Sequence, residues 1–146
     1  MNSELTTIYL LQASIAKKLG PKYLVNMNAL TSSLSRPREQ EARLGRLPEL
    51  DLVIWGPNPK EPFIVEFKSL RKGIDVPLSA VPLLIDLVDK NPGVQPHLIF
   101  ATNGRIGSLV RSELLQRNID IVESDDVSDM SNKISTIVQR KSQPSI

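Results

Sequence analysis

Two short apolar runs joined by a proline-punctuated turn constrain this chain more than anything else in it. Residues 50–55 read LDLVIW and residues 62–69 read PFIVEFKS, with Gly56-Pro57-Asn58-Pro59-Lys60-Glu61 between them. A segment with two prolines, an asparagine and a glycine in six positions has no helical option, so the two runs are read as the strands of a β-hairpin. Side chains alternate faces along a strand. Glu66 and Lys68 therefore share one face with Ile64, and Val65 and Phe67 share the other. On the first strand Asp51, Val53 and Trp55 lie together. If the hairpin is symmetric about the Asn58–Pro59 bond, Asp51 falls directly opposite Glu66, with Cα atoms roughly 4.5–5.5 Å apart. A slip of one residue separates the two acids onto opposite faces, and a slip of two leaves them diagonal neighbours.

The elements around the hairpin define an α/β domain. Residues 4–19 place Leu5, Ile8, Leu11, Ile15 and Leu19 at helical spacing, with Lys17 and Lys18 in the last turn and Gly20-Pro21 as a stop. Residues 22–30 are strand-like. The polar stretch 31–47 is a loop or holds a short helix over 38–44. An apolar helix is expected over about 80–90, and a strand buried on both faces over 96–102. A helix over 107–118, a short strand over 119–123 and a last helix from Asp125 or Asp126 to about Gln139 complete the order. The expected unit is one domain over residues 1–140 with a loose tail over 141–146.

Composition narrows the chemistry. The 146 residues contain no cysteine and one histidine, His97, which removes disulfides, thiolate zinc sites, cysteine nucleophiles and multi-histidine metal sites. The formal net charge is +2, compatible with nucleic acid but no argument for it. The N-terminus MNSELTTIYLLQ lacks a basic leader. The most apolar stretch, 76–88, is broken by Pro77, Pro82 and Asp86, well short of the ~20 residues a spanning helix needs. A cytoplasmic location, or one inside a host cell, is expected.

Two carboxylates side by side repel, so something positive is expected between them. Lys68 and a bound cation are the candidates. Oxygen-only donors suit a hard ion such as Mg²⁺, with Mn²⁺ as a substitute, and such an ion lowers the pKa of water and neutralises phosphodiester charge. Lys68 then orients or deprotonates the attacking water, or stabilises the phosphate. The competing interpretation of Asp51, Glu66 and Lys68 is a solvated salt-bridge cluster.

These residues resemble the PD-(D/E)xK nuclease superfamily, the restriction-endonuclease-like fold. Pro48-Glu49-Leu50-Asp51 stands for the first part of its motif and Glu66-Phe67-Lys68 for the second. The family's α-β-β-β-α-β core is similar to the order expected over residues 4–103, with α-β-α added here. Residues 98–105 (LIFATNGR), a helix, and residues 119–123 (IDIVE) look like the corresponding part of Mrr-type endonucleases. The small size and an early acid are also similar to archaeal Holliday-junction resolvases. The resemblance implies a metal-dependent DNA endonuclease in which Asp51 and Glu66 are metal ligands, the Phe67 carbonyl is a third, Lys68 is catalytic, and Glu4 is a further acid. Glu4 is the weaker candidate and reads more readily as a first-turn acid complementing the helix dipole. The pattern departs from the family where Glu49-Leu50 split the "PD" pair. No Gln-x-x-x-Tyr follows Lys68, against the exonuclease branch.

Arg36, Arg38, Arg43, Arg46 and Arg105 are candidates for contacts to the DNA backbone. Glu39 and Glu41 are the ordinary partners of the first four. Ser69, on the face opposite Lys68, is no nucleophile candidate, and His97 and Trp55 read as structural. Nucleases of this kind commonly act as homodimers, and a homodimer is expected. The sequence does not choose between DNA and RNA. Other classes are a structure-specific resolvase, a non-catalytic DNA-binding or assembly module that keeps the fold, and an interaction protein with an incidental charge cluster.

Overall fold

The computed structural model describes residues 3–30, 49–69, 93 and 95–142. The polar stretch 31–47 and the helix expected over 80–90 lie outside the described residues. Helix α1 (Ser3–Leu19) follows from its apolar stripe, and Ile8, Leu11, Ile15 and Leu19 are buried. Gly20 ends it with φ +82°, a left-handed conformation that glycine adopts without steric cost, and donates its N–H to the Ala16 carbonyl at 3.1 Å.

Strands β1 (Leu24–Leu30), β2 (Glu49–Trp55), β3 (Phe63–Lys68), β4 (His97–Thr102) and β5 (Asp120–Glu123) form one five-stranded sheet in that spatial order. β1, β2 and β3 pair antiparallel; β3, β4 and β5 pair parallel. Helix α2 (Ser108–Gln116) carries the parallel connection from β4 to β5, and α3 (Val127–Ser142) follows β5. Among the described residues this is an α/β domain, a mixed sheet flanked by three helices.

Alternation along the strands divides the sheet into two faces. Val25, Leu52, Ile54, Phe63, Val65, Phe67, Ile99, Ala101 and Val122 pack into one core with Ile8, Leu11 and Ile15 of α1 and Met130, Ile134 and Val138 of α3. Val53, Trp55, Ile64 and Phe100 project to the opposite face and are also buried. The central strands are thus apolar on both sides, as their near-continuous hydrophobic runs require.

Helix ends differ from expectation for identifiable reasons. α2 stops at Gln116 because Asn118 takes a positive φ of 58°, with its N–H on the Leu115 carbonyl at 3.1 Å and the Ile119 N–H on the Leu114 carbonyl at 2.9 Å. These paired bonds, with buried Leu114 and Ile119 beside them, are a Schellman closure in which asparagine replaces the usual glycine. α3 runs to Ser142 rather than about Gln139, so the first two residues of the tail expected to be loose, 141–142, are helical. Lys141 there forms an ion pair with Asp120 at 2.6 Å.

Asp126 caps α3 by accepting the Ser128 N–H on its carboxylate at 3.1 Å, a contact worth about 1 kcal/mol. One turn on, the Ser124 hydroxyl and the Lys133 ammonium hold the Asp129 carboxyl below its ordinary value of 3.8. A lowered folded-state pKa contributes stability above the unfolded pKa and loses it as pH falls through the folded one. Asp129→Asn is therefore expected to melt slightly below the native protein at neutral pH, the gap closing in acid as pH falls below the ordinary carboxylate range. Parallel melting curves at the two pH values check this. Among the described residues, no helix is long and apolar enough to cross a membrane.

Candidate active site

The β2–β3 turn is built by Asn58. Its carbonyl accepts the Glu61 N–H at 3.2 Å, and its side-chain oxygen accepts the Lys60 N–H at 3.0 Å. The strands leave this turn in the symmetric register, with Leu52 opposite Val65, Val53 opposite Ile64 and Ile54 opposite Phe63. Carried one position further, that register sets the backbone of Asp51 beside Glu66. On the other side, position 28 falls between the Met27–Leu52 and Ala29–Leu50 pairs, next to Asp51. Asn28, Asp51 and Glu66 thus occupy one row across three strands.

Glu66 and Lys68 are half-buried. They extend the face formed by the buried Val53, Trp55, Ile64 and Phe100, Phe100 being the β4 partner of Glu66 in the same row. A charge at such a boundary is screened less than one on an open surface. The residue between them, Phe67, points to the other core and is 1% exposed. The strand therefore separates its packing residue from its charged ones by alternation alone.

The next row is Lys68, Thr102 and Glu123, set by the parallel pairing of β3, β4 and β5. The Thr102 hydroxyl donates to the Lys68 carbonyl at 2.6 Å and accepts the Gly104 N–H at 2.9 Å. Asn103 donates from its amide to the Ser69 hydroxyl at 3.2 Å. The Ser124 N–H reaches the Thr102 carbonyl at 3.0 Å. Glu123 accepts the Ile106 N–H at 3.2 Å and pairs with Arg111 of α2, while Lys133 of α3 donates to the Glu123 carbonyl at 3.2 Å. Side chains of β4 and β5 thus tie three strand ends and the loop after β4 together. That loop presents Arg105 to solvent.

Glu66 and Lys68 come together on one face, and the register adds the backbone position of Asp51; the Asp51 side chain is not among those described. Glu4 lies in the first turn of α1, its side chain also outside the described set. Arg36, Arg38, Arg43 and Arg46 lie outside the described residues. His97 stacks on Phe63 with ring centroids 4.6 Å apart and pairs with Glu61 at 3.3 Å, so it belongs to the turn end of the sheet. Trp55 is 2% exposed, a packing residue. Sequence reasoning attached no role to Thr102 or Glu123. The available signal was positional, since both close parallel strands at their carboxyl ends, where α/β sheets place ligands.

Among the described side chains, no group of three or more His, Asp or Glu converges as a metal cluster. The donor chemistry of the row nevertheless fits a hard divalent ion. Asp51 and Glu66 offer only oxygen, the Phe67 carbonyl adds another, and the one histidine sits at the far end of the sheet.

No family model and no curated protein matches this sequence. Among solved structures, a protein of unknown function, AF1548, aligns with a TM-score of 0.55 at 13% identity over 84% of this chain and 58% of that one. The MspJI restriction endonuclease, solved with a 27-mer oligonucleotide, aligns with a TM-score of 0.44 at 14% identity over 92% of this chain and 28% of that one. The chain thus spans less than two thirds of either protein. The likeness to AF1548 is one of fold.

Proposed function

We propose that this chain is a Mg²⁺-dependent endonuclease that hydrolyses phosphodiester bonds in DNA. The observation that supports this reading is the symmetric β2–β3 register. Carried one position past its last pair, Leu52 with Val65, it brings the backbone of Asp51 beside Glu66, with Lys68 two residues on at the edge of an apolar face. Two acids at neighbouring register positions suit a cation-binding role.

Asp51 and Glu66, with the Phe67 carbonyl, would hold the ion, and Mn²⁺ would substitute. When bound, it lowers the pKa of water and neutralises phosphodiester charge. The chain's own residues do the rest. Lys68 directs its ammonium at the attacking water and at the non-bridging phosphate oxygens, where negative charge grows in the transition state. The water oxygen bonds to phosphorus and gives up a proton to solvent, the bond from phosphorus to one sugar oxygen breaks, and that oxygen takes up a proton from solvent. Arg105, exposed beside the row, contributes a contact to the DNA backbone, and Arg36, Arg38, Arg43 and Arg46 supply others. We further infer a cytoplasmic homodimer, each protomer cutting one strand.

The test is nicking of supercoiled plasmid by the purified chain with Mg²⁺, Mn²⁺ or EDTA. Cleavage with either metal and its loss in EDTA is the expected result. Equal products with and without chelator would remove the ion from the reaction, and no products with either metal would leave the fold as a non-catalytic DNA-binding module. Four-way junctions compared with linear duplex separate a structure-specific resolvase from an enzyme acting on ordinary duplex, and an RNA duplex tests the choice of sugar.

A further inference from the structure

We propose that Thr102 is the positioning residue for Lys68, a role that rests on the nuclease reading above. Lys68 is the last residue of β3, and it carries a flexible four-carbon stem whose starting direction is set by its backbone. Strand ends open most readily, so a catalytic ammonium at this position needs its main chain fixed by something other than further sheet.

Thr102 supplies that fixation. It is the parallel partner of Lys68 and is fully buried at 0% exposure. A hydroxyl has one donor and two acceptor sites. Here the donor goes to the Lys68 carbonyl at 2.6 Å, and one acceptor site takes the Gly104 N–H at 2.9 Å. The acceptor bond from Gly104 and the restricted χ1 of a β-branched side chain together settle where the hydroxyl points. Thr102 is itself held by the Ser124 N–H on its carbonyl at 3.0 Å, which links it to the end of β5. Three strand ends therefore converge on the peptide that carries the lysine.

The experiment compares Thr102→Val, which keeps the shape and loses the hydroxyl, with Thr102→Ser, which keeps the hydroxyl. Both are measured for steady-state plasmid cleavage beside the native protein and Lys68→Ala, and melting curves establish folding. Thr102→Val is expected to lose roughly 10- to 100-fold in kcat with KM unchanged, the scale of a small misplacement of a reacting group. Thr102→Ser is expected to recover most of the rate. Amide exchange at Gly104 is expected to speed up in the valine variant and stay slow in the serine variant. In the Lys68→Ala background, Thr102→Val is expected to cost nothing more. A valine variant as fast as the native protein, a serine variant as slow as the valine one, or full additivity with Lys68→Ala would overturn the proposal while leaving the nuclease reading standing. A native protein no more active than Lys68→Ala would instead remove that reading, and this role with it. If the valine variant does not fold, Thr102→Cys, whose thiol donates only weakly, replaces it in the same comparison.

Discussion

Lys68→Ala is expected to slow plasmid cleavage by roughly 10²- to 10⁴-fold, the usual worth of a group that moves or holds a proton in the transition state. At about 1.4 kcal/mol per factor of ten, that is about 3–6 kcal/mol of transition-state stabilisation from one ammonium. The residue is half-buried at the end of β3, beyond the side chains that form the core. Truncation removes an amine and a flexible stem without opening a cavity. Melting temperature should change little, which separates this variant from one that simply unfolds. Asp51→Asn removes a charge at the neighbouring register position while keeping its size, and a comparable loss is expected. The two variants differ in one informative way: excess Mg²⁺ should recover part of the Asp51→Asn rate by mass action and none of the Lys68→Ala rate. Native rates in both variants would leave Asp51, Glu66 and Lys68 a salt-bridge cluster.

The hairpin half of this site was legible in the sequence because short-range chemistry decides it. Pro57 and Pro59 forbid a helix, Asn58 builds the turn through its own carbonyl and side chain, and alternation does the rest over fewer than ten residues on each side. The second row was not legible in the same way. Thr102 meets Lys68 only because β3 and β4 run parallel, and parallel neighbours need a long crossover whose length carries no register information. Glu123 depends on a further crossover through α2. The same distinction holds for the helix ends. Gly20 marks the end of α1 locally, whereas α3 outruns its expected stop because Lys141 meets Asp120, a residue 21 positions earlier in the chain. Asn118 lies between these cases: asparagine tolerates a positive φ, but it is the burial of Leu114 and Ile119 in the tertiary structure that makes the closure worthwhile.

Phe67→Ala is expected to destabilise the domain by about 3–5 kcal/mol, the cost of removing a large buried aromatic side chain and leaving a cavity. The reason it matters lies in its neighbours. Phe67 is 1% exposed and packs in the core shared with α1 and α3, while Glu66 and Lys68 on either side of it face the other way. The side chain that anchors β3 is thus the middle residue of the motif. A loss of that size approaches the whole stability of a small domain, so the variant should lose most of its cooperative melting transition and, with it, any cleavage. Phe67→Leu retains most of the buried volume and is expected to cost less and to keep both the fold and the Mg²⁺-dependent rate. Urea or thermal denaturation followed by circular dichroism measures the first effect, and plasmid nicking the second. If Phe67→Ala melts like the native protein, the core assigned to this face of the sheet is wrong. If Phe67→Leu stays folded but loses activity, the aromatic ring aligns the two charged residues as well as anchoring the strand that bears them.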